Sequence, residues 1–116
     1  MMKKENRIKG QQYEILAQNY LKKHGFSIIA TNVSNFCGEI DIVAKQKDTY
    51  VFFEVKGRGS NAFGAPYEAV TPYKQNKIRR AAQAYLKSKH LLDRCEVRFD
   101  VISIIDDEIE HLIDAF

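Results

Sequence analysis

EIDIVAKQKDTYVFFEVKGRG, residues 39–59, is the stretch that decides how this chain folds. Two apolar runs flank the polar segment Gln46-Lys47-Asp48-Thr49, so the spacing predicts a β-hairpin with strands over Glu39–Ala44 and Tyr50–Gly57. Side chains alternate across a strand. Glu39 and Asp41 therefore share one face of the first strand, and Ile40 and Ile42 the other. On the second strand Glu54 and Lys56 share a face opposite Val51, Phe53 and Val55. Charges inside the strands of a small domain are costly without a partner. Folding the hairpin about the midpoint between Lys47 and Asp48 sets Asp41 opposite Glu54 and Glu39 opposite Lys56, with facing Cβ atoms ~5 Å apart. Glu39 and Lys56 attract. Asp41 and Glu54 repel.

Two readings follow. In one, a hard divalent cation sits between the two carboxylates. Mg²⁺ takes oxygen ligands, keeps several waters, and is commonly held by one or two carboxylates plus a substrate phosphate. Lys56, on the same face, would then position or activate an attacking water, and the reaction would be metal-assisted phosphodiester hydrolysis. In the other, all four charges face solvent as ordinary cross-strand pairs, and a slipped register sets Asp41 against Lys56. Spacing alone leaves these readings even.

Working outward, residues from about Arg7 to His24 predict a helix. Tyr13, Ala17, Tyr20, Leu21 and His24 form its apolar face, and Gly25 ends it. Glu14 borders that face. A border glutamate is ordinary on an amphipathic helix, but this one can also look toward the sheet, and Gly10 one turn earlier admits a close neighbour. Phe26 to about Val33 reads as a strand. Residues 57–70, with three glycines and a proline, read as a loop longer than a connection needs. Thr71-Pro72 starts a second helix that runs to about Lys89 with Ile78, Ala81, Ala82 and Tyr85 inward. Lys74 projects onto the same inward face, where a lysine either snorkels or reaches a phosphate. Glu96–Ile105 is a strand, Asp106-Asp107 a turn, and Ile109 to about Ile113 a short edge strand. The order is α-β-β-β-α-β-β, an α/β mixed five-stranded sheet flanked by helices, with the second helix as a crossover.

At 116 residues, 45% apolar and 28% charged, the chain is the size of one globular domain over residues 1–116. The net charge of +3 is mild, so its distribution matters more than its sum. Lys74, Lys77, Arg79, Arg80, Lys87 and Lys89 occur with no acid between Glu68 and Asp93, while acids gather from Asp106 to Asp114. A basic stripe beside a candidate metal site is the footprint of nucleic-acid binding, although a charge run is most often a solvated face. Tyr67, Tyr73 and Phe63 could stack bases, and core packing explains them equally well. The N-terminus has no apolar run of a signal peptide, and no segment is long enough to span a membrane. Cys37 and Cys95 stand alone, as buried thiols in a reducing cytosol do.

Gly38-Glu39-Ile40-Asp41-Ile42, followed after a gap by Phe53-Glu54-Val55-Lys56-x-Arg58, resembles the PD-(D/E)XK nuclease superfamily. More closely, the chain resembles the YraN-type family of small bacterial proteins, themselves similar to archaeal Holliday junction resolvases. Gly10 and Glu14 fit the first helix of that family. Phe63-Gly64-x-Pro66-x-Glu68-Ala69-Val70-x-x-x-Lys74 fits its loop and second-helix start, and Ala82-x-x-Tyr85-Leu86 the continuation. The resemblance implies a restriction-endonuclease-like fold and a Mg²⁺ or Mn²⁺ site. Asp41 and Glu54 would be the principal metal ligands, with Glu14 a further ligand directly or through water. Lys56 would orient the water, and Glu39 and Lys74 would be accessory. Arg58, Lys74, Lys77 and Arg80 would contact nucleic acid. The activity implied is endonucleolytic cleavage of DNA, structured or branched; the alternative is a catalytically silent nucleic-acid-binding subunit of a DNA-processing complex. Related resolvases act as dimers, which leaves a homodimer open, although no apolar stripe here demands one. The sequence departs from the pattern at Ile40, where the superfamily has proline, at Tyr13 before Glu14, and at Ser34, where many relatives carry arginine.

Overall fold

A computed structural model describes the backbone of residues 4–58 and 70–116 and the side chains of residues 10–57 and 70–116. The expected loop with Phe63, Tyr67 and Glu68, and the side chain of Arg58, lie outside the described residues.

The elements follow the expected order: α1 (Lys4–Lys23), β1 (Ser27–Asn35), β2 (Gly38–Gln46), β3 (Thr49–Arg58), α2 (Pro72–Ser88), β4 (Glu96–Ile105) and β5 (Glu108–Leu112). They build one sheet in the order β1-β2-β3-β4-β5. Neighbours are antiparallel except β3 and β4, which are parallel and joined through α2. A parallel pair requires such a crossover. The mixed sheet with its two helices is the restriction-endonuclease-like architecture.

α1 and α2 cover opposite faces. Ala17 and Leu21 of α1 pack with Phe26, Ile42, Ala44, Val51, Phe53, Ile102 and Ile104. Ala81, Ala82, Tyr85 and Leu86 of α2 pack with Ile40, Val43 and Phe52. Phe52 and Phe53 are both fully buried, one under each helix, so alternation in β3 supplies an aromatic to each layer.

α1 ends as Gly25 predicts. With Gly25 at φ +86°, its amide donates to Lys22 O and the Phe26 amide donates to Leu21 O at 3.0 Å, while Phe26 packs on Leu21's cluster. That is a Schellman ending with its hydrophobic contact. His24, expected on the inward face, is exposed instead; its ring stacks on Tyr20 and Nδ1 bonds Tyr20 O at 2.8 Å. The helix terminates just before His24 could turn inward. Gly10 faces open space, with nothing within 4 Å of an added Cβ among the described residues. The close approach falls at Gly57, where a Cβ would overlap the Tyr13 ring.

The hairpin register is the expected one, from Gln46↔Thr49 to Ile42↔Phe53, around a two-residue turn at Lys47-Asp48. There the pairing stops. Ile40, expected to share a face with Ile42, packs under α2, while Ile42 packs under α1. The alternation breaks at Asp41, whose carboxylate takes the Val55 amide at 2.7 Å. A side chain that replaces a ladder partner ends the regular pleat at that residue.

Candidate functional site

The break in β2 is what shapes the site. Asp41 is half-buried and anchored by the Val55 N–H. Glu54, in the next strand, is buried at 7% exposure. Both line a cavity of about 350 Å³ with Gly38, Glu39, Lys74, Lys77 and Ile78. The expected juxtaposition of the two acids is therefore present, reached through a side-chain hydrogen bond where a continuous ladder was expected.

The two acids differ in company. Glu54 Oε1 accepts from Lys74 Nζ at 2.9 Å and lies 3.4 Å from Lys56 Nζ. Lys56 thus pairs along its own strand, and the expected Glu39–Lys56 pair does not form; Glu39 is exposed at the cavity edge. Asp41 has no ion pair within contact distance among the described residues. Burial, followed by the Glu54 charge, pushes its carboxyl up to about 7, with a further push from Glu14 and opposition from the Val55 amide and Lys74. Burial also lowers Lys56, helped by its hydrogen bond with Lys74 and opposed by Glu54. Lys74 goes the other way: burial lowers it, but its bonds to Lys56 and Glu54 and the charges of Glu54 and Asp41 prevail and raise it. Lys56 is the member of the pair held below its ordinary value.

Lys74 reaches Glu54 because of how α2 begins. Thr71 caps the helix, accepting from the Lys74 amide at 3.2 Å, and Pro72 occupies the first turn. Two residues on, Lys74 faces the sheet with Ile78 below it. The first turn carries no acid, so a cation there opposes the helix dipole. Glu54 compensates.

Of the other expected site residues, Glu14 is half-buried on α1 and does not line the cavity, but its charge reaches Asp41. Lys77 lines the cavity, with Nζ 5.5 Å from the Tyr73 ring centre. Arg80 is exposed further along α2. Arg79 lies over the Phe99 and Phe116 rings at 5.5 and 5.3 Å, so it leaves the basic stripe to pack.

The donor chemistry fits Mg²⁺ or Mn²⁺: two hard carboxylates that repel, at a water-accessible cavity. Among the described residues no group of three or more His, Cys, Asp or Glu converges on one point. An ion there would take the carboxylates of Asp41 and Glu54, with its remaining coordination positions left to water.

A second polar cluster escaped the sequence analysis. Asp100 is fully buried in β4. It accepts from Arg98 Nε and Nη2 at 2.9 Å each, from His111 at 2.7 Å and from the Asp114 amide at 2.9 Å. The one legible signal is an aspartate inside the apolar run Phe99–Ile105. Its partners come mostly from β5 and the chain beyond it, and they tie that end of the molecule to the sheet.

Similar proteins match this chain over nearly its whole length. A UPF0102 protein of Geotalea daltonii is 45% identical over 98% of this chain and 93% of its own length. One of Shewanella oneidensis is 46% identical over 92% of this chain and 97% of its own. One of Chlorobium phaeobacteroides is 45% identical over 99% and 98%. The family model described as "Uncharacterised protein family UPF0102" matches residues 13–104, a span that holds Glu14, Asp41, Glu54, Lys56 and Lys74. The chain belongs to the UPF0102 family, the YraN-type proteins that its motifs resemble.

Proposed function

We propose that the protein is a metal-dependent endonuclease that hydrolyses DNA phosphodiester bonds, with structured or branched DNA as the substrate its resemblance implies. The observation that carries the reading is the Asp41–Glu54 pair in one cavity, with Lys56 and Lys74 against it and the basic face of α2 alongside. Asp41 and Glu54 would hold Mg²⁺ or Mn²⁺, which when bound supplies Lewis acidity at a phosphate oxygen and a water of lowered pKa. The Val55 amide fixes the Asp41 carboxylate so that it need not reorganise. Lys56 would orient the water that attacks phosphorus and stabilise the charge that develops, and the water's proton passes to bulk solvent. The P–O bond to the leaving oxygen breaks, and that oxygen takes up a proton. Glu14 adds negative potential behind Asp41 or contacts the ion through water. Lys77 and Arg80 bind backbone phosphates.

The Lys74–Glu54 contact favours a second reading, a catalytically silent nucleic-acid-binding subunit in which the lysine neutralises the acid permanently. Incubation of labelled duplex, single-stranded and four-way-junction DNA with Mg²⁺ or Mn²⁺ separates the two. Cleavage that disappears in Asp41→Ala and Glu54→Gln supports the nuclease. Cleavage that survives either substitution refutes it. Salt-dependent binding without turnover supports the silent subunit.

A further inference from the structure

We propose that Lys74 is a resident counter-ion that a metal must displace, and that its release onto a substrate phosphate makes metal and nucleic acid bind cooperatively. This rests on the metal-dependent reading above.

Lys74 Nζ lies 2.9 Å from Glu54 Oε1, on one of the two carboxylates that would hold the ion. Lys56 Nζ is 3.4 Å from the same oxygen. Two lysine ammoniums therefore crowd one oxygen of Glu54, so this carboxylate attracts a dication weakly while both stay in place. A cation approaching Glu54 competes for an oxygen that already accepts a charge-assisted hydrogen bond, among the stronger kinds of contact.

The displaced ammonium would be poorly placed. It sits in the first turn of α2, where the helix dipole disfavours a cation and no acid is present. Its side chain is 38% exposed, so water relieves it only partly. A phosphate entering the cavity from the side of Lys77 gives it a new anionic partner. Nucleic acid thus stabilises the displaced lysine, and the metal gains the freed carboxylate. Coupling between two ligands is reciprocal in free energy, so each tightens the other by the same factor.

Beyond the general attraction between a basic helix and DNA, the coupling resides in one side chain. Lys77 lines the same cavity and carries the same charge, but its ammonium sits by the Tyr73 ring instead of on Glu54. Removing Lys77 tests the general field, and removing Lys74 tests displacement.

The experiment titrates full-length protein with Mn²⁺, following loss of the free-ion EPR signal, and repeats the titration with Ca²⁺ by calorimetry to avoid turnover. Each is run with and without a duplex oligonucleotide, for the wild type, Lys74→Met, Lys74→Gln and Lys77→Met. Thermal melts of each variant establish that it is folded, and the two Lys74 substitutions guard against failure of one. Wild type should bind the ion weakly alone and on the order of tenfold more tightly with DNA, within the ordinary range of such couplings. Both Lys74 variants should bind on the order of tenfold more tightly without DNA and gain little from its addition, as expected when a partly exposed charged competitor is removed. Lys77→Met should weaken DNA binding, as loss of a phosphate contact does, but keep the factor by which bound DNA tightens the ion. Equal or weaker ion binding in folded Lys74 variants than in wild type overturns the proposal while leaving the metal site standing. The same gain in Lys77→Met as in the Lys74 variants also overturns it, because the effect is then only field. If no variant binds either ion, the metal-dependent reading itself falls, and the proposal with it.

Discussion

Asp41→Asn should make the protein more stable at alkaline pH while removing one carboxylate of the proposed metal site. Burial and the Glu54 charge raise the Asp41 carboxyl from its ordinary value of 3.8 to about 7. The folded state therefore binds this proton more tightly than the unfolded chain does. Between about pH 4 and 7 folding takes up a proton, so stability falls as pH rises, and above pH 7 the whole penalty is present. At 1.36 kcal/mol per pH unit, the rise corresponds to an upper bound of about 4 kcal/mol. Asparagine keeps an oxygen for the Val55 amide but also loses hydration on burial, which halves the expected gain to about 2 kcal/mol. The assay is urea unfolding of both proteins in EDTA at pH 5 and pH 8. The difference between them cancels the titrating groups that do not interact with Asp41. Asp41→Asn should gain up to about 2.7 kcal/mol on wild type from pH 5 to pH 8, the two pH units between 5 and 7, because the hydration cost of asparagine is the same at both pH values; Mg²⁺ at pH 8 should stabilise only the wild type. Parallel pH profiles for the two proteins would mean that burial and the Glu54 charge do not raise the Asp41 carboxyl.

The remaining predictions concern the framework. Asp100→Asn should cost about 3–5 kcal/mol in denaturant unfolding, because Arg98 and His111 lose a buried anionic partner. Burial alone would raise the Asp100 carboxyl, but His111, Arg98 and the Asp114 amide outweigh it and hold it below its ordinary value. Its contribution is therefore complete above about pH 4 and fades as pH falls through the lower folded value, so wild type should show an acid-side loss that Asp100→Asn lacks; equal acid limbs would contradict the network's role. Gly57→Ala should destabilise by about 1–3 kcal/mol through overlap with Tyr13, and Tyr13→Ala in the same chain should recover part of that loss in a double-mutant cycle. Additive costs would mean that the ring moves aside freely.

The hairpin was legible because two apolar runs and a short polar centre admit one symmetric folding point, and Gln46↔Thr49 through Ile42↔Phe53 obey it. Gly25 was legible because a left-handed residue after an amphipathic helix has a local cause. His24 was misread because a period of 3.6 continues on paper after the backbone has turned away. The extra residue at Ile29, where β1 and β2 shift register, left no mark in the pattern. Ile40 was misread for a related reason. Alternation assumes an unbroken ladder, and whether an aspartate points out or reaches for a backbone amide depends on a strand fourteen residues later. Asp100 showed itself as a charge in an apolar run, but its partners are set by the β4–β5 pairing.

The site was legible as residue types and only half legible as chemistry. Opposition of like charges across a hairpin predicts strain shared equally by Asp41 and Glu54. In the folded chain the strain is unequal: Glu54 holds two lysines, and Asp41 holds a backbone amide and a raised carboxyl. The asymmetry comes from Lys74, whose distance from Glu54 depends on where α2 crosses the sheet. A sequence motif records that a lysine stands at the start of that helix; only the fold makes it a neighbour of the acid. The same placement bears on both functional readings. If the lysine never leaves, the acids are a structural ion cluster on a nucleic-acid-binding surface. If phosphate draws it away, they become a metal site only when substrate is present, and a metal titration without DNA would underestimate the protein's affinity for its ion.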